Sequence, residues 1–117
     1  MARQGTLVAL KAIIKLYCID YIDQNAYGYE ITEAVSSRLK PFGFSPHHSE
    51  VYRTLHEMAD ESMILRHERH IGPRQKVVYY TFTDDGRAAA AAYKKTLKEN
   101  LDRSIALLNA AVADNYS

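Results

Sequence analysis

The chain is poor in the residues that usually carry chemistry. It has one cysteine, three prolines and five glycines in 117 residues, and a net charge of only +1. The lone Cys18 excludes an internal disulfide and fits a reducing cytoplasm. No G-x-S-x-G, no phosphate-cradling glycine loop and no H-E-x-x-H occurs, so hydrolase, nucleotide-binding and zinc-peptidase chemistries have no carrier. His67 and His70 are three apart on a predicted strand and point to opposite faces, a poor metal geometry without a cysteine cluster beside them. The reading is therefore of a non-enzyme with no metal and no cofactor. Near the start, LVALKAIIKLYCI is broken by Lys11 and Lys15 and stays short of the about 18 uninterrupted apolar residues of a membrane span. It also lacks a small-residue cleavage site and reads as a core helix. There is no repeat, no linker, and no low-complexity tract beyond the alanines at 88–92.

Hydrophobic residues make up 47% and charged residues 25%, the balance of a soluble single domain. A domain this small leaves much of its surface in water, so a second chain packed against it would help. The charge is unevenly placed. Residues 1–19 carry Arg3, Lys11 and Lys15 and no acid. The stretch 38–76 holds seven of the cations and all five histidines: His47, His48, His56, His67 and His70. A local basic face matters more for phosphate contact than the total charge does.

Hydrophobic periodicity sets the elements. Thr6 to Tyr21 is apolar on most sides and reads as a central helix, ended by Asp23, Gln24 and Asn25. Tyr27-Gly28-Tyr29-Glu30 opens a second helix with Ile31, Val35 and Leu39 on one face, stopped by Pro41 and Gly43. Ser45-Pro46 reads as an N-cap with proline in the first turn, opening a third helix over 46–62. There Val51, Leu55 and Met58 form the inner stripe, while Ser49, Tyr52, Arg53, His56 and Asp60 face out. The β-branched and aromatic run VVYYTFT predicts a strand, which with Ile64 to Ile71 makes a hairpin over 64–83 with Arg74 and Lys76 on its loop. Thr83-Asp84-Asp85 caps a last helix over 84–114, roughly 45 Å long at about 1.5 Å per residue. Tyr93, Leu97, Leu101, Ile105, Leu108 and Val112 form a continuous stripe along it, with Ser104 beside them, and the simplest partner surface is the same helix of a second chain.

Helix, helix, helix, hairpin, long helix is the winged helix-turn-helix order: α+β, mainly α, in one domain. Residues 1–5 would be a flexible arm, 46–62 the recognition helix, 64–83 the wing and 84–114 the dimerisation helix. The basic residues fall on the three elements that such a fold presents to DNA. Arg53 suits a phosphate or a guanine edge; the alternative is a solvated arginine paired with Glu50 or Glu57. Tyr52 suits the DNA backbone or a half-buried place against the wing. Arg74 and Lys76 suit phosphates or the minor groove, or are a soluble hairpin tip. His47 and His48 are helix-start residues near phosphate or without a role.

The segments GFSPHHSEVYRTLHEM (43–58), AIIKLYCI (12–19), YGYEI (27–31), YKKTLKENLDR (93–103) and the ending DNY (114–116) closely resemble the replication terminator protein family. The resemblance runs from about Gly5 to Tyr116. A looser version, including the wing exit Tyr79 to Gly86, is similar to PadR-like regulators. The terminator resemblance implies homodimers joined by an antiparallel coiled coil of their last helices. Two dimers would sit side by side on terminator sites in double-stranded DNA and stop the replicative helicase from one direction only, in the cytoplasm on the nucleoid. It matches Tyr52 and Arg53 to contact positions on the recognition helix, Lys11 and Lys15 to basic positions flanking the DNA backbone, and the surface around Gln24 to Tyr27 to the region that meets the helicase. Together with the charge and placement of the residues, the candidate DNA contacts are Arg3, Lys11, Lys15, His47, His48, Ser49, Tyr52, Arg53, His56, Arg74 and Lys76. Ser45 stands where the family can carry lysine, the arm has only Arg3, and the wing loop has two cations. Each missing phosphate contact lowers affinity and flattens its salt dependence. The alternatives are a PadR-like transcriptional repressor with sites over promoters, and a dimeric adaptor that binds protein.

Overall fold

The computed structural model describes residues 7–116. Helix α1 spans Leu10–Asp23, α2 Gly28–Leu39 and α3 His48–Asp60. Strands β1 (Ile64–Gly72) and β2 (Gln75–Phe82) follow, and α4 runs Asp84–Tyr116. The fold is a winged helix: three helices, a two-stranded antiparallel hairpin and a long final helix.

Helix α1 starts later than its apolar run suggests. Ala9 is extended (φ −81°, ψ 154°) and the Val8 N–H donates to the Ser104 hydroxyl of α4, so the chain before Leu10 is a strap rather than a helical turn. At the other end Asn25 takes φ 63°, and the Ala26 N–H closes back on the Tyr21 carbonyl. Asparagine tolerates this left-handed position better than most residues. Helix α2 is opened by the Glu30 carboxylate, which accepts from the Tyr27 N–H at 2.7 Å. One 3₁₀ turn, Lys40–Phe42, and Gly43 at φ 84° then turn the chain into α3. That left-handed position is what glycine is there for.

Helix α3 starts after Pro46, not with it. His47 is the N-cap in extended backbone, while the Pro46 carbonyl accepts from the Ser36 hydroxyl of α2. Pro46 is thereby buried as a spacer between the two helices instead of sitting in the first turn. The hairpin is tighter than expected. Gly72 pairs with Gln75, so only Pro73 and Arg74 form the turn, and a register shift between His70 and Gly72 absorbs the extra residue. Lys76 therefore stands on β2 opposite His70 and not on the loop.

The core lies where α1, α2, α3 and the base of the hairpin meet. Ile14, Cys18, Ile31, Val35, Val51, Leu55, Met58 and Ile64 are its buried centre. Helix α4 joins through Gly86, whose Cβ position would lie 1.9 Å from the Met63 carbonyl oxygen. Only glycine lets the helix start this close to β1. Thr83 caps that start, accepting from the Gly86 N–H at 2.8 Å and donating to the Ser62 carbonyl at 2.7 Å. The helix then runs past the body of the molecule, which measures 61 × 34 × 19 Å. No helix among the described residues is long and apolar enough to cross a membrane.

Candidate nucleic-acid interface

The sequence puts the outward face of α3 opposite its apolar stripe, and the structure does the same. Val51, Thr54, Leu55 and Met58 are buried, while Ser49, Tyr52, Arg53 and His56 are exposed. Thr54 is accommodated inside because its hydroxyl donates to the Glu50 carbonyl at 3.1 Å. Tyr52 lies against the start of α2, where a Cβ on Gly28 would sit 3.5 Å from its ring and 3.7 Å from that of Tyr80. It is held from one side and 41% exposed on the other. Arg53 makes no ion pair among the described residues; Glu57 is taken by Lys11 instead. Arg53 lines a groove between α1 and α3 together with Leu10, Lys11, Ile14, Glu50 and Thr54. His56 lies 3.7 Å from Asp60 one turn on. His47 and His48 are exposed at the helix start beside Lys40 and Ser45.

Flanking this face, α1 presents Lys11 and Lys15. Both are engaged: Lys11 with Glu57 at 3.0 Å and Lys15 with Glu61 at 3.3 Å. Lys15 also stands 4.6 Å above the Tyr93 ring. On the wing, Arg74 is exposed at the turn. Lys76 and Arg66 share the Glu68 carboxylate at 3.1 and 2.8 Å. The Arg66 hydrogen bond, and then that of Lys76, hold the Glu68 carboxyl below its ordinary range. Arg3 lies outside the described residues.

The other face of the wing is aromatic. His67 stacks on Tyr79 at 4.8 Å between centroids and shares a hydrogen bond with the Thr81 hydroxyl at 2.8 Å. Arg69 donates to the Tyr27 hydroxyl and lies over the Tyr27 and Tyr79 rings. A single bridge, Tyr27 to Tyr79, ties the α1–α2 corner to this sheet. Tyr27 is thus half-buried under an arginine, while Gln24 is exposed and hydrogen-bonded to Asp20 at 3.0 Å. The Arg69 and Glu57 partnerships escape sequence reasoning because their partners are more than forty residues away, at separations of 42 and 46. One signal was available: Lys11 and Lys15 repeat at the same four-residue interval as Glu57 and Glu61.

The α4 stripe divides in two. Tyr93, Leu97 and Ser104 are used within the chain: the Tyr93 hydroxyl donates to the Ala12 carbonyl at 3.0 Å, Leu97 is buried, and Ser104 accepts from Val8. Leu101 is half-buried at the boundary. Beyond it Ile105, Leu107, Leu108 and Val112 are 54–58% exposed. This contiguous apolar surface is of the kind that marks an interaction site.

An outward helix rich in donors, a basic hairpin and an open apolar helix define a winged-helix protein of the DNA-binding class. Solved structures agree on the fold. A transcriptional regulator from Thermoplasma acidophilum is 20% identical with a TM-score of 0.65, covering 86% of this chain and 93% of that one. Bacillus subtilis PadR, solved in complex with operator DNA, is 26% identical with a TM-score of 0.57 over 69% of this chain and 45% of its own. The sequence narrows the class further: the chain belongs to the replication terminator protein family, whose model matches residues 5–116. Replication termination proteins of Bacillus subtilis and Bacillus spizizenii are each 40% identical over 115 residues, 96% of this chain and 93% of theirs.

Proposed function

We propose that the protein is a replication terminator: a homodimer that binds terminator sites in duplex DNA and stops the replicative helicase arriving from one side. The observation that carries this is the match to replication termination proteins over 96% of the chain, taking in the third helix, the wing and the final helix together. In this reading α3 enters the major groove, with Tyr52 and Arg53 at base edges and Ser49, His47, His48 and His56 nearby. Lys11, Lys15, Arg74 and Lys76 meet phosphates on either side, and Arg3 extends that contact. Leu101, Ile105, Leu108 and Val112 pair with the same residues of a second chain, and paired dimers occupy one terminator. The α1–α2 corner at Gln24 and Tyr27 meets the helicase. The protein works as an obstacle on the nucleoid and not as an enzyme.

One observation favours a second reading. The structural neighbours include PadR-like regulators, one of them PadR in complex with operator DNA. A transcriptional repressor would use the same helix and wing at promoters. Mapping genomic occupancy separates the two: a few strong sites near the replication terminus support termination, and sites spread over promoters support repression.

A further inference from the structure

Three cations of the proposed DNA interface, Lys11, Lys15 and Lys76, are already paired with carboxylates beside them. Glu57 on α3 and Glu61 at its C-cap hold Lys11 and Lys15. Glu68 comes from the wing and holds Arg66 and Lys76. The two lysines of α1 and the two glutamates at the end of α3 both repeat at four residues, so the two pairs form a ladder in register. The first rung is open to water, with 66% of the Lys11 side chain and 40% of the Glu57 side chain exposed. Ion pairs this exposed hold weakly and contribute little to a fold. Their oxygens stand about 3 Å from the lysine nitrogens, where a phosphate oxygen would otherwise stand. Lys11 also lines the groove that Arg53 lines, so the masked cation is the one adjoining the recognition face.

We infer that Glu57, Glu61 and Glu68 are internal stand-ins for DNA phosphates that hold down the affinity for arbitrary DNA. The inference rests on the DNA-binding reading above. Non-specific binding is almost wholly electrostatic and grows with every phosphate neutralised. On arbitrary duplex each of these carboxylates competes with phosphate for its cation, so fewer phosphates are neutralised and fewer counterions are released. Occupancy is then decided by Arg53 and Tyr52 at base edges, against the great excess of competing genomic sites.

The test is binding to a short duplex of arbitrary sequence across a salt series, by fluorescence anisotropy, with wild type, E57Q, K11Q and the double variant. E57Q frees one cation. Its plot of log affinity against log salt steepens by about 0.9, so its affinity ratio to wild type moves about 3.5-fold over a fourfold change in salt. In the K11Q background the gain disappears. An E57Q protein that binds as wild type does overturns the inference. So does a gain that persists in full without Lys11, which would be general loss of repulsion. A wild type without salt-dependent binding overturns the DNA-binding reading itself, and this inference with it. If E57Q does not fold, E68Q puts the same question on the wing, its gain expected to fall in the K76Q background and to disappear when R66Q is added.

Discussion

The Val8 N–H donates to the Ser104 hydroxyl at 3.1 Å, joining residues 96 positions apart. Ser104 is buried by this strap, and it marks where α4 leaves its own domain. Before it, the Tyr93 hydroxyl bonds to α1 and Leu97 is buried; after it, the apolar residues are open.

Leu108→Glu separates dimer from fold. Leu108 lies beyond the strap and is 54% exposed within one chain, so the substitution leaves the core untouched. In a dimer it buries an unpaired charge at a cost of about 3 kcal/mol or more, which raises the dissociation constant at least ~100-fold. Sedimentation at micromolar concentration should show a monomer. Thermal unfolding should retain a cooperative transition.

Arg53→Ala should weaken binding to a selected DNA site by about 1–3 kcal/mol while leaving the dimer intact. The side chain is exposed and makes no ion pair among the described residues, so stability should change by less than about 0.5 kcal/mol. Tight binding by a dimeric Arg53→Ala protein would show that this face of α3 does not read DNA.

Gly86→Ala tests the close join of α4 to the wing. The new Cβ would meet the Met63 carbonyl oxygen at 1.9 Å and its carbon at 2.6 Å, both backbone atoms that cannot swing aside. A loss of about 3 kcal/mol or more is expected in denaturant unfolding, against the ~1 kcal/mol gain that a helix otherwise has from alanine over glycine.

Cys18 is inaccessible, and burial pushes its thiol from 9.0 up to about 12. It should resist alkylation in the native protein at pH 8 and react once the chain is unfolded. Because the folded value is raised, the protonated thiol's stabilisation is intact below pH 9.0 and is lost as pH climbs toward about 12. The decline should approach about 1.4 kcal/mol per pH unit in that window, and Cys18→Ala should flatten it.

Much of this was legible from spacing alone. The inner stripe of α3, the β-branched run of β2 and the four-residue rhythm of α4 are local patterns, and local backbone geometry follows them. The start of α1 was not legible, because Val8 is drawn into a bond with Ser104 that no local rule contains. Pro46 has the right identity for a helix start, yet it is buried ahead of α3 and His47 takes the N-cap position in extended backbone. Of the residues that the sequence nominates for DNA, Lys11, His47, His48, Ser49, Tyr52, Arg53, His56, Arg74 and Lys76 lie exposed, Lys15 is half-buried, and Arg3 lies outside the described residues. What their sequence positions hid is that Lys11, Lys15 and Lys76 are each bonded to a carboxylate. Such pairings are set by how elements pack.

The central claim is a polar block to the replicative helicase. The direct measurement is strand unwinding by that helicase on a duplex carrying one bound site, presented in each orientation. Arrest in one orientation and read-through in the other is the predicted result. Equal arrest from both sides, or read-through in both despite tight occupancy of the site, would contradict it.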